Sequence, residues 1–403
     1  MAMNLPQTRK EINRLALLFT FTYMISYITR INYGAIITEM ERETAIARDL
    51  LSLAVTGSFI TYGVGQIISG ILGDHISPKR LVSYGFILTV SMNLLIPLCK
   101  TPYLMLVVWC VNGFAQSFMW PPLVRLMTAL LSEEDYKRVT VKVSFGSSLG
   151  TMLIYLISPL IISISGWRAV FLFSATCGII MLFFWHRYSY EIMPEPKAPD
   201  GAPRVAKGFF SPLMLGIMLA IVLQGMLKDG VTTWMPTYIS DTYKLDNIVA
   251  ILTGVLLPIF SMLCFEVSSR LYRKKLTNAV TCAGVIFGVG ACAALGLYFV
   301  TGKSAAASVV LSALLTGCMH GVNLMLVCMV PAFFKKRGKV STVSGVINAC
   351  TYVGSAASTY GIARLSSGIG WHSTVLVWVG IAVLGTVICT ISARPWKQFT
   401  EKD

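Results

Sequence analysis

Charged residues are scarce in this sequence: they make up 13% of its 403 residues, whereas hydrophobic residues make up 55%. A soluble domain usually has about 25% charged residues. The deficit excludes an ordinary soluble domain, and the mean hydropathy of +0.70 predicts a polytopic membrane protein. The polar N-terminus runs into an apolar stretch that is too long for the apolar region of a signal peptide, so we expect the first helix to remain as an anchor.

Patterns typical of disulfide scaffolds, metal centres and enzymes are also missing. All ten cysteines fall in apolar stretches without paired spacing, which favours packing residues over a disulfide framework or a zinc site. The sequence has no nucleophile constellation, phosphate-cradling glycine loop or metal cluster. We therefore expect neither enzymatic activity nor a bound cofactor or metal. The sequence has no Asn-x-Ser/Thr acceptor, which is compatible with a bacterial protein.

Apolar windows of about 20 residues, each long enough to cross about 30 Å of hydrocarbon, recur about twelve times. They lie near residues 14–38, 49–72, 81–99, 103–131, 141–164, 169–186, 210–239, 247–269, 277–300, 305–333, 340–366 and 372–391. Residues 163–170 resemble residues 367–375, and weak symmetry at half-length is typical of duplicated transporters. We predict an all-α membrane protein with twelve transmembrane helices in two pseudo-symmetric six-helix bundles. The predicted bounds are 1–186 and 210–403 for the bundles and 187–209 for a proline-rich cytoplasmic linker.

Positive charge is distributed unevenly among the predicted loops. The net charge of +15 would by itself favour nucleic-acid binding. With a cytoplasmic N-terminus, however, the inner segments hold 23 of the 33 Lys and Arg residues, the outer loops hold six and the spans hold four. This bias is the positive-inside rule. It argues against a nucleic-acid partner and predicts a multi-pass protein of the bacterial inner membrane, surrounded by the lipid bilayer, with both termini cytoplasmic.

Two of the four cations within the spans lie deep in the membrane, almost half the chain apart. Arg30 and Lys228 each lie about 25 Å along a helix that starts at the cytoplasmic side, whereas Arg125 and Arg364 lie nearer to helix ends, where gating or anchoring is favoured. A cation at the bilayer centre costs roughly 2.5–3.5 kcal/mol on insertion scales. We therefore predict that Arg30 and Lys228 bind a small anionic solute that carries a phosphate or carboxylate group.

Polar and aromatic residues share helix faces with these cations or occupy faces of neighbouring spans. The predicted substrate-binding residues are Arg30, Lys228, Tyr27, Tyr23, Tyr62, Gln66, Gln116, Trp120, Ser148, Tyr155, Gln224, Asp229, His320, Asn323, Asn348 and Tyr352. Helix-to-helix hydrogen bonding stays open as an alternative for the polar members, and His320 could carry protons or belong to the core. Asp229 points about 100° away from Lys228 on a helix, so it could tune Lys228, carry a proton or contact a partner helix.

The loop Gly70–Arg80 reads Gly-Ile-Leu-Gly-Asp-His-Ile-Ser-Pro-Lys-Arg and resembles the signature loop of the major facilitator superfamily. We expect its polar residues to stabilise a gate conformation. The carboxylate of Asp74 can pair with cations at neighbouring helix ends, and Arg138 is a candidate partner. The corresponding loop of the second half is degenerate, but it has the i,i+4 spacing of a helical ion pair. The predicted gating residues are Gly73, Asp74, Lys79, Arg80, Arg138, Glu266 and Arg270.

Four segments resemble the organophosphate:phosphate antiporter branch of that superfamily, which includes the glycerol-3-phosphate and hexose-phosphate transporters. They are residues 23–32, the pair Tyr62 and Gln66, residues 116–125, and residues 227–238. The resemblance implies exchange of an organic phosphate for inorganic phosphate as two halves rock around a central site. It also places Arg30 and Lys228 as phosphate ligands, although Lys228 replaces an Arg of the family and Gln66 replaces a Lys.

Two other functions stay open at this point. A sugar-acid or other carboxylate symporter has a similar Arg-x-Asn first helix, but such carriers commonly place an acid where this chain has Thr29. A transporter-like sensor of hexose phosphate would have the same binding site. Arg30 and Lys228 together supply +2, whereas an ionised, inward-facing Asp229 would leave +1 and favour a carboxylate or a singly charged ester. We expect a monomer.

Overall fold

The computed structural model describes residues 8–192, 211–245 and 256–401, which are helical and contain no strand. The helices before the central gap are α1 (Arg9–Ala35), α2 (Ile37–Thr44), α3 (Arg48–His75), α4 (Pro78–Leu95), α5 (Pro102–Gln116), α6 (Trp120–Leu130), α7 (Glu133–Ser165) and α8 (Trp167–Tyr188). Those after it are α9 (Pro212–Tyr243), α10 (Leu256–Lys274), α11 (Ala279–Val300), α12 (Ala305–Asn323) and α13 (Val340–Glu401). Helix α13 is broken at Gly370, where φ is +76°.

Each of the twelve predicted apolar windows overlaps at least one of these helices, so the predicted all-α membrane architecture is confirmed. Most of the predicted linker, residues 193–209, and the start of the eighth window, residues 247–255, lie outside the described residues. Within the described ranges, nine helical segments are long and apolar enough to cross a membrane. Helix α1 is less apolar than these nine, and its polar residues Thr22, Thr29 and Asn32 are buried.

The fourth predicted span is interrupted where the sequence reads Trp120-Pro121-Pro122. Helix α5 ends at Gln116 and α6 begins at Trp120. Proline has no backbone N–H, and its ring clashes with the preceding turn, so two consecutive prolines are compatible only with the first turn of a new helix. The helix break predicted at this position is confirmed, and Trp120 lies at the start of α6.

The chain divides into two compact units. The first comprises Met1–Lys197 together with Arg337–Ala349, and the second comprises Ala198–Lys336 together with Cys350–Asp403. This grouping differs from the predicted bounds because the start of α13 packs on α3 in the first unit. A Cβ atom on Gly70 of α3 would lie 3.1 Å from the Cα of Gly345 on α13, so the two backbones touch.

Glycines allow similarly close helix contacts elsewhere in both units. In the first unit, a Cβ atom on Gly150 of α7 would lie 3.1 Å from the Cβ of Tyr27 on α1. In the second unit, a Cβ atom on Gly354 of α13 would lie 2.9 Å from the backbone nitrogen of Met226 on α9. Small residues permit such approaches between helices in a membrane. These contacts fix the rotation of α1 and α9, which carry Arg30 and Lys228.

Candidate functional site

Arg30 projects from α1 onto two aromatic rings of the first unit. Its Cζ atom lies 4.2 Å from the ring centroid of Tyr27 and 4.7 Å from that of Tyr62 on α3. Tyr62 is buried and Arg30 is half-buried. A guanidinium within about 6 Å of an aromatic face is attracted by the ring quadrupole. The rings therefore orient Arg30 while it keeps the positive charge and planar N–H fork that suit an anion.

Two further predicted residues extend this aromatic cluster. The ring centroid of Tyr23 lies 5.1 Å from that of Tyr27 and 4.9 Å from that of Trp120. Trp120 is only 2% exposed, and its indole nitrogen has no hydrogen-bond partner among the described residues. Buried polar atoms usually have partners. The structure thus brings five predicted residues together in one cluster, which includes the indole donor of Trp120.

Gln116 forms a different contact, with the backbone turn that precedes Arg30. Its amide donates to the hydroxyl of Thr29 at 2.9 Å. Asn93 of α4 and Asn112 of α5 donate to the carbonyl of Thr29 at 3.1 and 3.3 Å. All these amides are buried, so they hold the turn of α1 that carries the cation. Sequence reasoning missed Asn93, although a lone amide inside the apolar window 81–99 was the available signal.

Gln66 and Asn348, both predicted to bind substrate, bind each other within the first unit. The amide of Asn348 donates to the side-chain oxygen of Gln66 at 3.0 Å. The amide nitrogen of Gln66 has no partner among the described residues. The pair joins α3 to the start of α13, and Gln66 still offers one buried donor.

The two residues predicted on α7 differ in their surroundings. Ser148 is buried, whereas Tyr155 is 54% exposed. They lie seven positions apart, about two turns of helix. Their contribution to binding stays a prediction, with Ser148 in the more enclosed position.

Lys228 lies on α9 in the second unit, paired with its neighbour Asp229. Its Nζ atom is 3.4 Å from the nearer carboxylate oxygen, and the two side chains are 15% and 34% exposed. The hydroxyl of Ser355 on α13 also donates to Asp229. The close packing of α9 on α13 at Gly354 explains this contact. Asp229 thus contacts both Lys228 and a partner helix, and its role in the site stays a prediction.

The other predicted residues of the second unit lie on α9, α12 and α13. The amide of Gln224 donates to the carbonyl of Met319 at 3.1 Å, which ties α9 to α12. His320 is half-buried and packs edge-on against Phe265, with ring centroids 5.5 Å apart. Asn323 ends α12, and Tyr352 on α13 is half-buried.

Asp74 caps the start of α13 within the first unit. Its carboxylate accepts from the backbone N–H groups of Ser341 at 3.0 Å and Thr342 at 3.1 Å, and from the Thr342 hydroxyl. An anion at a helix N-terminus is favoured because the N–H groups and the helix dipole point toward it. The expected pairing with Arg138 is wrong, because Arg138 binds Glu134 one turn away on α7.

The remaining predicted gating residues also make local contacts. Arg125 is buried and donates to the carbonyl of Gly73, as well as to that of Ile76 at 3.3 Å. Lys79 donates to the carbonyl of Ser189 at 3.0 Å, and Arg80 pairs with Glu191 at 2.9 Å. The predicted pair of Glu266 and Arg270 is confirmed at 2.6 Å. The cations of the first-half loop thus bind the segment after α8, while its carboxylate binds α13.

Comparison with known proteins identifies the family of this chain. The family model of the Major Facilitator Superfamily matches residues 19–359. A probable hexose phosphate transport protein of Chlamydia muridarum is 21% identical over 401 residues, covering 90% of this chain and 87% of that protein. The membrane sensor protein UhpC of Escherichia coli is 21% identical over 405 residues, covering 92% and 88%.

A solved structure shows the same fold. The Major Facilitator Superfamily transporter FucP, in its outward conformation, superposes with a TM-score of 0.78 at 10% sequence identity. The match covers 95% of this chain and 99% of that one. At this identity the likeness concerns the fold alone.

Proposed function

The chain belongs to the Major Facilitator Superfamily, and from that premise we propose that it exchanges an organic phosphate for inorganic phosphate. The protein is a multi-pass membrane transporter. In this proposal it lies in the bacterial inner membrane with both termini cytoplasmic, as its charge distribution favours. The proposed mechanism is rocker-switch alternating access.

One observation carries the proposal: the environment of Arg30 in the first unit. The guanidinium lies against Tyr27 and Tyr62 and is held by a buried amide network at Thr29. Planar, bidentate recognition of phosphate or carboxylate is the chemistry for which arginine is suited. Orienting the fork before the anion arrives reduces the ordering cost of binding.

Lys228 in the second unit supplies the other cation of the proposed site. Ammonium is a compact point charge that binds phosphate without a fixed geometry. Because Asp229 lies 3.4 Å away, the second unit contributes less than a full positive charge. Arg30 therefore fixes the orientation of the anion in this proposal, and Lys228 adjusts the charge that the site accepts.

The name of one relative is in keeping with a sugar-phosphate substrate. That relative is called a probable hexose phosphate transport protein, and a second relative is called a membrane sensor protein. The second name favours one alternative function, in which the chain binds hexose phosphate and signals with little transport. Both functions use the same cations, so flux rather than binding separates them.

Phosphate counterflow tests the proposal. Purified protein is reconstituted into liposomes loaded with unlabelled phosphate, and entry of labelled external phosphate is followed. We expect entry that requires internal phosphate and falls at least about 30-fold in Arg30→Ala, because truncating a buried charged contact costs 2 kcal/mol or more. Arg168→Ala is the matched control, since Arg168 is exposed and pairs with Glu43.

The outcomes separate the alternatives. Wild-type-like entry in Arg30→Ala would contradict the proposed site. Binding of hexose phosphate without any counterflow by well-folded protein would favour the sensor. Uptake of a sugar acid driven by a proton gradient, without phosphate exchange, would favour the carboxylate symporter.

A further inference from the structure

A concave apolar surface lies between the first turns of α1 and the last turns of α8. It encloses about 810 Å³. Its apolar wall includes Leu17 and Phe21 of α1 and Ile180 and Phe184 of α8, which are 45–57% exposed. We call this surface the α1–α8 groove. All of its lining residues belong to the first unit, and the groove contains none of the predicted substrate-binding residues.

Two arginines and a tyrosine form one end of the α1–α8 groove. The Cζ atoms of Arg14 and Arg187 lie 5.6 and 5.4 Å from the ring centroid of Tyr188, so they are at most 11 Å apart. Phe184 stacks on Tyr188 with ring planes 15° apart. Both guanidiniums thus lie next to the Tyr188 ring, at the end of the apolar wall.

Neither arginine forms an ion pair within the described part of the chain, although neighbouring cations do. Arg9 pairs with Asp135, and Arg80 pairs with Glu191. Glu11 also lines the groove, but its carboxylate accepts from the backbone N–H of Thr8 and caps the start of α1. The end of the groove therefore carries two positive charges for which the described residues provide no ion-pair partner.

The position along the helices matches a membrane boundary. Helix α8 is a membrane-spanning segment that ends at Tyr188, and α1 begins at Arg9. Tyrosine is enriched at the level of lipid headgroups, and arginines near helix ends extend toward that level. The apolar wall then faces the acyl-chain region.

We propose that the α1–α8 groove binds one anionic phospholipid, with an acyl chain along the apolar wall and the phosphate between Arg14 and Arg187. Charge complementarity identifies the occupant: arginines near the membrane surface favour anionic headgroups by about fivefold each. A free phosphate would use the two cations but not the apolar wall. A neutral lipid would use the wall but not the cations.

Native mass spectrometry of the purified full chain tests this inference. The protein in detergent is mixed with equal amounts of phosphatidylglycerol and phosphatidylcholine that carry the same acyl chains. We expect at least about tenfold more bound phosphatidylglycerol in the wild type, and about equal binding in Arg14→Gln/Arg187→Gln. Arg168→Gln is the matched control: Arg168 lies 4.4 Å from the Trp167 ring at the other end of α8, but it is already paired with Glu43.

Each outcome supports or overturns the lipid site without reference to transport. Equal binding of the two lipids by the wild type would overturn it, even if the double variant cannot be purified. A preference that survives in the double variant, or is lost equally in Arg168→Gln, would also overturn it. Displacement of phosphatidylglycerol by excess inorganic phosphate would assign the two arginines to a free anion instead. Retention of the preference in Arg14→Lys/Arg187→Lys would support recognition by charge.

Discussion

The two membrane cations have different surroundings. Arg30 lies against the rings of Tyr27 and Tyr62, which orient it without cancelling its charge. Lys228 lies 3.4 Å from Asp229, which offsets part of its charge. A duplicated fold has thus placed a strongly oriented cation in one unit and a partly neutralised cation in the other. Under the proposed function, this difference predicts that orientation of the anion depends mainly on the first unit, and that charge preference depends mainly on the second.

Replacing Arg30 by Lys and Lys228 by Arg should separate the effect of anion orientation from the effect of positive charge. We expect Arg30→Lys to lower phosphate counterflow roughly 30-fold, because the ammonium loses both the planar contact with the rings and the bidentate fork. Lys228→Arg should stay within about threefold of the wild type, since it keeps the charge. Initial counterflow rates in liposomes measure both. Equal losses in the two variants would contradict the assigned difference.

A second contrast concerns the loops after α3 and α10. Asp74 is buried and accepts three hydrogen bonds from the start of α13, whereas Glu266 makes one exposed ion pair with Arg270. We expect Asp74→Asn to lower the free energy of unfolding by about 2 kcal/mol, because bonds to a charged acceptor are strong. Glu266→Gln should cost less than about 1 kcal/mol. Thermal unfolding in detergent compares them, and a larger shift for Glu266→Gln would reverse the contrast.

The packing that positions Asp229 against α13 can be weakened at one glycine. In Gly354→Ala the added methyl carbon would lie 2.9 Å from the backbone nitrogen of Met226, so we expect a loss of about 1.5 kcal/mol from overpacking. Gly380→Ala in the same helix is the control, because a Cβ there meets nothing within 4 Å. A lower unfolding midpoint in Gly354→Ala alone is expected. Equal midpoints would show that the contact relaxes without cost.

Removal of the negative charge beside Lys228 tests the difference between the two cations most directly, although its expected effect is the smallest of those considered. We expect Asp229→Asn to shift the preference of the site about tenfold toward doubly charged anions, because a difference of about 1.4 kcal/mol corresponds to that factor. The measurement is inhibition of phosphate counterflow by a phosphate monoester and by the matching singly charged diester. Ser355→Ala, which removes a neutral donor to Asp229, should shift this ratio less. An unchanged ratio in Asp229→Asn would remove Asp229 from charge selection.

Much of the architecture could be predicted because membrane insertion depends on local sequence. The twelve apolar windows each overlap a helix, and the double proline after Trp120 marks the observed break. The Glu266–Arg270 pair was predictable for the same reason, since residues four apart are neighbours on any helix. Composition, hydropathy and helical spacing need no knowledge of which helices touch.

The partners of the polar residues were harder to predict from the sequence. Gln116 was predicted on a substrate-binding face, but its amide binds Thr29 of α1. Arg138 was a candidate partner of Asp74, yet the Asp74 carboxylate accepts from the backbone of Ser341, 267 positions later in the chain. Helical spacing defines which residues share a face, but it does not define which other helix that face meets.

The sequence by itself determined the membrane class, through its hydropathy, and the superfamily, through its motifs. It also determined which two cations lie deep in the membrane, because a charge in hydrocarbon is costly and stands out in an apolar window. Only the tertiary structure decided what surrounds each cation. Contacts between Tyr62 and Arg30, or between Ser355 and Asp229, depend on how closely and at what rotation the helices pack. Close packing at residues such as Gly150 and Gly354 sets that rotation, and it is a property of pairs of helices that no single segment encodes.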